Sequence, residues 1–193
     1  MVGVDISDVN NNPPGGFTLV ELMVALAVLS ILLVVAAPSF RDLIMDNKLL
    51  SESYAMRATL NNARSEALAQ RLPVTVCRSA DGDTCSTGDW SVGYIAFTDR
   101  DRDAVPDDPN TITGDMIFIA REVDSDLAIV YRNVSGPTDV VRFDSRGHAI
   151  GARGVFGFCD NRGSDKMKAL GVSAVGVVGS AKVSSLDPND FCP

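Results

Sequence analysis

The sequence predicts an α+β chain: one long N-terminal α-helix, its first half membrane-spanning and its second half amphipathic, packed on a C-terminal antiparallel β-sheet head. Three observations carry this. From Phe17 to Ala37 there are twenty-one nearly all-apolar residues, which at about 1.5 Å per helical residue cover roughly the 30 Å of a hydrocarbon core. Beyond them, apolar residues recur at roughly helical spacing as far as position 70. After Pro73 the period changes to short strand-like runs divided by Gly, Pro, Asp and Asn clusters.

Within the apolar run stands one charge, Glu21. A carboxylate in hydrocarbon costs at least about 2.5 kcal/mol, so a cation from another subunit is its expected partner. Were the chain cut after Gly16, the free α-amine of Phe17 on one subunit could neutralise Glu21 of its neighbour, and Glu21 would set the stagger of a helical assembly.

Gly16-Phe17-Thr18-Leu19-Val20-Glu21-Leu22 followed by a long apolar run resembles the class III signal of type IV prepilins and type II secretion pseudopilins. The resemblance implies a prepilin leader over residues 1–16, cleavage between Gly16 and Phe17 by a membrane aspartyl peptidase, N-methylation of Phe17, and polymerisation through the apolar helix. The leader holds Asp5 and Asp8 and no Lys or Arg, against the positive-inside pattern, so orientation rests on the resemblance. A basic leader further upstream, or a later start, would account for this.

The remaining elements follow in order. Residues 17–38 form the transmembrane and assembly helix. Pro38 is expected to kink it, and 39–72 continue it as an amphipathic helix. There Leu43, Ile44, Leu50, Tyr54, Leu60, Ala63, Ala67 and Leu68 form the apolar series, with Arg41, Asp42, Asp46, Lys48, Glu52, Arg57 and Arg64 between them. Leu72-Pro73 ends the helix. Residues 73–193 form the β-rich head, with strands expected at 74–78, 92–98, 116–121, 127–132, 140–143, 155–159 and 169–178.

The 193-residue chain carries a formal charge of −8, and loss of Asp5 and Asp8 with the leader leaves −6. An acidic chain is a poor default partner for nucleic acid. Four cysteines beyond a membrane span imply an oxidising compartment. Cys77 with Cys85 and Cys159 with Cys192 are nearest in sequence, although three connectivities are open. Closing those loops would contribute roughly 2.5 and 4 kcal/mol. Neither pair has the tight spacing of a zinc site.

Nucleophilic catalysis finds little to use. His148 is the one histidine and lies beside Gly147 in an expected turn, and the glycines of 147–157 do not form a phosphate loop. No enzyme activity and no cofactor are expected. Asp99, Asp101 and Asp103, with Asp107 beyond, have the alternate spacing of oxygen ligands around Ca2+. Ala104 replaces the expected glycine, no Glu stands at the twelfth position, and Arg100 and Arg102 offset the charge, so a solvated hairpin loop is preferred over Ca2+.

Several stretches are similar to the GspH/FimT family of minor pilins and pseudopilins. They are Leu60-Asn61-Asn62-Ala63-Arg64-Ser65-Glu66-Ala67; Asp89-Trp90-Ser91-Val92-Gly93 leading into Ile95-Ala96-Phe97-Thr98-Asp99; Phe143-Asp144-Ser145-Arg146-Gly147; and Phe158-Cys159-Asp160-Asn161-Arg162-Gly163. The last is more typical of type IV pilus members. The resemblance implies a type IV pilin-like fold and a minor pilin that primes assembly of and caps the type IV pilus, in pilus biogenesis, twitching motility and adhesion. Its expected partners are other minor and major pilins through the N-terminal helix, the prepilin peptidase and the inner membrane. Its expected place is the inner membrane, single-pass with the head in the periplasm, then the pilus at the cell surface. A type II secretion pseudopilin is the alternative. A DNA receptor for natural transformation is the lesser one: Val178-Gly179-Ser180-Ala181-Lys182-Val183 lacks the two arginines of the family's DNA-binding motif, and only Arg153, Arg162, Lys166, Lys168 and Lys182 are left to form a basic patch, too few for strong counterion release.

Overall fold

The structure is a computed structural model and describes residues 16–123, 126–134, 136, 138–183 and 186–192, except for the side chains of Val35, Pro38 and Pro188. The leader expected over 1–16 lies outside the described residues but for Gly16. Two compact units are present, Met1–Leu43 and Ile44–Pro193.

Helix α1 spans Leu19–Gln70 and stays helical through position 38. In the first unit every described side chain from Phe17 to Leu43 is exposed. An apolar surface of this extent facing water is unfavourable, so these side chains call for lipid or other helices around them.

In the second unit α1 presents a different line. Leu49, Glu52, Met56, Thr59, Leu60, Ala63 and Ala67 are buried, spaced by the threes and fours that put residues on one helix face. Leu43, Ile44, Leu50, Tyr54 and Leu68, expected in the apolar series, are exposed. Leu60, Ala63 and Ala67 of the same series are buried as expected, and the charged Glu52, read as lying between the apolar positions, is buried with them.

Among the described residues eight strands follow: β1 Val74–Arg78, β2 Tyr94–Thr98, β3 Ile117–Arg121, β4 Ala128–Asn133, β5 Val140–Phe143, β6 Gly154–Cys159, β7 Lys168–Val172 and β8 Val178–Ser180. They form two four-stranded antiparallel sheets ordered β3-β2-β1-β5 and β4-β6-β7-β8. The run expected as one strand at 169–178 is two, joined by a turn in which Ser173 N–H donates to the Val177 carbonyl at 3.0 Å and Gly176 adopts φ 77°. A positive φ at that position interrupts extended backbone.

Side chains alternate across each strand, and both sheets turn one face to a shared core with α1. Val74, Val76, Tyr94, Ala96, Val141 and Phe143 of the first sheet meet the buried apolar residues of α1 together with Ile129, Tyr131, Phe156, Phe158, Leu170 and Val172 of the second. The opposite faces carry smaller clusters, and a disulfide belongs to each. Cys77–Cys85 accompanies Ile95 and Phe97, while Cys159–Cys192 accompanies Met167 and Phe191. Phe191 lies over Gly157, where an added Cβ would stand 2.6 Å from its ring. Thus the second disulfide ties the C-terminal segment onto a strand left open by glycine.

Trp90, in a short 3-10 turn at Trp90–Val92, meets Phe156 edge-on at 5.0 Å and Tyr131 at 6.1 Å, and Tyr131 stacks on Phe156 at 4.3 Å. The two polar atoms of this aromatic group are satisfied: Trp90 Nε1 donates to the Thr138 carbonyl at 2.9 Å and the Tyr131 hydroxyl to the Ala152 carbonyl at 2.6 Å.

Candidate assembly segment and head surface

At its N-terminus α1 is capped by Thr18, whose Oγ1 accepts the Glu21 backbone N–H at 3.2 Å, while the Thr18 carbonyl accepts Leu22 N–H at 3.1 Å. Thr18-Leu19-Val20-Glu21 therefore has the order of a capping box, with Glu21 at the position where a carboxylate also favours the positive end of the helix dipole. Gly16, Phe17 and Glu21 are exposed. The Thr18 cap was readable in the sequence as a Thr three residues before a Glu, a signal that the motif's other associations obscured.

In the second unit, polar contacts hold α1 to both sheets. Glu52 is the most enclosed. Its Oε1 accepts from the Tyr94 hydroxyl at 3.1 Å and from Arg121 Nε at 3.2 Å, and its Oε2 accepts from Arg121 Nη2 at 2.9 Å. Burial, with the Glu52 charge beside it, pushes the Tyr94 hydroxyl above its ordinary range, and the hydrogen bonds that Arg121 donates to Glu52 raise the guanidinium. Arg64 donates through Nε to the Gly147 carbonyl at 3.0 Å and through Nη2 to that of Val175 at 3.3 Å. Lys48 reaches Asp126 at 3.3 Å.

Two turns flagged in the sequence share one construction. In Asp144-Ser145-Arg146-Gly147 and in Asp160-Asn161-Arg162-Gly163, the Asp Oδ1 accepts the Arg backbone N–H at 2.9 Å. The Gly N–H returns to the Asp carbonyl at 2.8 and 3.0 Å, and the glycines take φ 76° and 82°. Each arginine also bends back to its own aspartate. An Asp accepting from the backbone two residues on and a Gly in the left-handed region are what such a turn requires. His148 caps the first turn, its N–H donating to Asp144 Oδ1 at 2.8 Å.

In the second turn Arg162 also reaches Asp46 of α1 at 2.8 Å, so its guanidinium is committed between two carboxylates. Of the residues offered for DNA contact, Arg162 is thus engaged, whereas Lys166 and Lys168 stand exposed around the start of β7 and Lys182 follows β8. Asp160 is held below its ordinary value of 3.8 chiefly by the hydrogen bond from Arg162. A depressed folded-state value means stability that is present above the unfolded carboxylate range and is lost as pH falls through the lower value. Asp160→Asn is accordingly expected to destabilise the protein at pH 7 and to approach the parent as pH falls below the ordinary carboxylate range and through the depressed folded-state value. Chemical denaturation of both chains across that range would show it, and a constant gap would refute it.

The loop after β2 gathers acidic groups. One oxygen each from Asp99, Asp101 and Asp103 lies within 4.8 Å of the others. Asp107 is not among them: its N–H donates to Asp115 Oδ2 at 3.3 Å, and Asp115 Oδ1 accepts from Arg100 N–H at 3.2 Å. Asp115 stands outside the alternate spacing of the acids in the sequence. Burial pushes its carboxyl up, and the charges of Asp99 and Asp107 add to that against two backbone hydrogen bonds. Asp99 is fully buried, its Oδ2 accepting from Thr75 Oγ1 at 2.5 Å and Arg142 Nε at 3.1 Å.

Residues 53–176 match the family described as type II transport protein GspH, and residues 12–37 match the prokaryotic N-terminal methylation motif. Crystal structures of the type IV minor pilin FimU of Pseudomonas aeruginosa strain PAO1, in space groups P21 and P65, superpose with TM-scores of 0.53 and 0.51. Identity is 19% in both, over 76% and 75% of this chain and 93% and 96% of those. The minor pseudopilin EpsH of the Vibrio cholerae type 2 secretion system aligns at TM-score 0.46 and 9% identity, over 69% of this chain and 96% of that one. No curated protein matches the chain. The long N-terminal helix with antiparallel sheets is the α+β, pilin-like arrangement seen in FimU.

Proposed function

This chain belongs to the type II transport protein GspH family, and we propose that it is a minor pilin, a structural subunit that primes and caps a type IV pilus and performs no turnover chemistry. The observation that carries this is the segment from Phe17 to Leu43, directly at the methylation motif, whose described side chains are all exposed and which bears Glu21 as the one acid of its first turn. Lipid before assembly and neighbouring helices afterwards would remove that apolar surface from water.

In this function the peptidase cuts between Gly16 and Phe17, and the new Phe17 amine is methylated. Glu21 then pairs with the amine of a neighbouring subunit, because an unpaired carboxylate is costly in the apolar interior. The inner membrane holds the chain by its one span with the head in the periplasm, until the chain joins a filament with other minor and major pilins. The likeness in fold to FimU and the second Asp-x-Arg-Gly turn support a pilus over a secretion pseudopilus. With Arg162 taken up by Asp160 and Asp46, a phosphate-binding face has little to build on.

The test is mass spectrometry of sheared surface filaments and of the cell envelope. A peptide beginning at Phe17, heavier by one methyl group and recovered from filaments, is the expected result. Processed chain confined to the envelope would transfer the protein to a secretion pseudopilus, and a chain still beginning at Met1 would overturn the proposal.

A further inference from the structure

We propose that Asp99, Asp101 and Asp103 form a calcium site at the end of β2. Asp99 follows the last residue of that strand and is anchored there, its N–H donating to the Pro73 carbonyl at 2.9 Å. With Oδ2 occupied by Thr75 and Arg142, the oxygen left to the carboxylate is Oδ1, which is buried and has no hydrogen-bond partner. A buried acceptor left without a donor is rare and unfavourable, and a cation is the ligand that would satisfy a carboxylate oxygen there.

The neighbouring groups have the spacing such an ion needs. Ca2+ binds oxygens at about 2.3–2.6 Å, so two ligands on one ion stand at most roughly 5 Å apart. The 4.8 Å limit on the Asp99, Asp101 and Asp103 oxygens falls inside that. Asp101 and Asp103 each spend Oδ1 on a loop amide, from Asp103 at 3.4 Å and from Val105 at 2.7 Å. These bonds hold the two carboxylates in place and leave their other oxygens for a ligand.

Charge points the same way. Of the nearby arginines, Arg142 pairs with Asp99 Oδ2 at 3.1 Å, while Arg100, which in the sequence stands between the acids, donates through Nε to the Gly114 carbonyl at 3.1 Å. A donor set of oxygens alone, on a loop exposed at two of its three ligands, suits a hard and geometrically tolerant ion. That favours Ca2+ over Mg2+ and over transition metals. An affinity in the range of extracellular modules, Kd about 10−4–10−3 M, is expected.

The experiment uses the full chain in detergent, stripped with EDTA, titrated with CaCl2 by calorimetry and followed by thermal unfolding. Saturable binding and a rise in Tm of about 3–6 °C at ten times Kd are expected. Asp101→Asn with Asp103→Asn alters two exposed side chains, so it should keep the Tm of the EDTA-treated parent and lose the response to calcium. Absence of heat and of a Tm shift up to about twenty times the upper Kd would overturn the proposal. So would an undiminished calcium response in the double variant, or an equal shift with MgCl2.

Discussion

Phe156→Ala lowers the free energy of unfolding by about 3–5 kcal/mol, the largest loss expected from any single truncation in the core. Phe156 is fully buried in the middle of β6, opposite Tyr131 on β4 and Leu170 on β7. Its ring fills the space between Trp90, at right angles to it, and the Tyr131 face. Those two neighbours cannot move in to close the cavity, because Trp90 is held by the Thr138 carbonyl and Tyr131 by that of Ala152. A site that cannot collapse retains most of its cavity, which places the cost toward the upper end. Phe156→Leu, which preserves most of the volume, should cost no more than about 1.5 kcal/mol. Urea unfolding of the three chains decides it, and a loss under about 1 kcal/mol for the alanine variant would show that the aromatic group is not central to the core.

Gly93→Ala is expected to cost about 3–5 kcal/mol, combining a backbone conformation reserved for glycine with a collision against main chain. Gly93 joins the Trp90 turn to β2 with φ 129° and ψ 179°. A Cβ there would stand 2.6 Å from the Arg121 carbonyl oxygen and 2.8 Å from that of Ser79. The Ser79 N–H also donates to the Gly93 carbonyl at 3.0 Å, so neither side can withdraw without loosening the sheet. Gly88 supplies the comparison: it has φ 115° with nothing within 4 Å of a built Cβ. Gly88→Ala should therefore cost only the conformational part, about 1–2 kcal/mol. Denaturation midpoints of the two variants separate the collision from the dihedral penalty, and equal losses would mean that the strand ends around Gly93 yield.

The elements of this chain were legible because each leaves a local trace. The apolar run, the helix end before Pro73 and the strands at 74–78 and 140–143 were readable from period and punctuation alone. The Asp-x-Arg-Gly turns were legible too, since their hydrogen bonds close within four residues. Others left no such trace. The split of the last run into β7 and β8 turned on Gly176 in a stretch that otherwise reads as continuous apolar strand. The two-sheet order was not indicated by any one segment.

Sequence by itself indicated that a long apolar helix begins at the N-terminal methylation motif and is followed by a disulfide-bearing β head, because side-chain period and turn chemistry are local properties. Only the tertiary structure decided which face of the helix is buried, and that Glu52 belongs to it, since its partners Tyr94 and Arg121 lie 42 and 69 residues away. It likewise decided that Asp99, one acid among several in a polar loop, is fully buried, with Thr75 and Arg142 brought to it by β1 and β5. Desolvation is set by what packs around a group, and that surrounding is assembled from segments whose sequences carry no mark of one another.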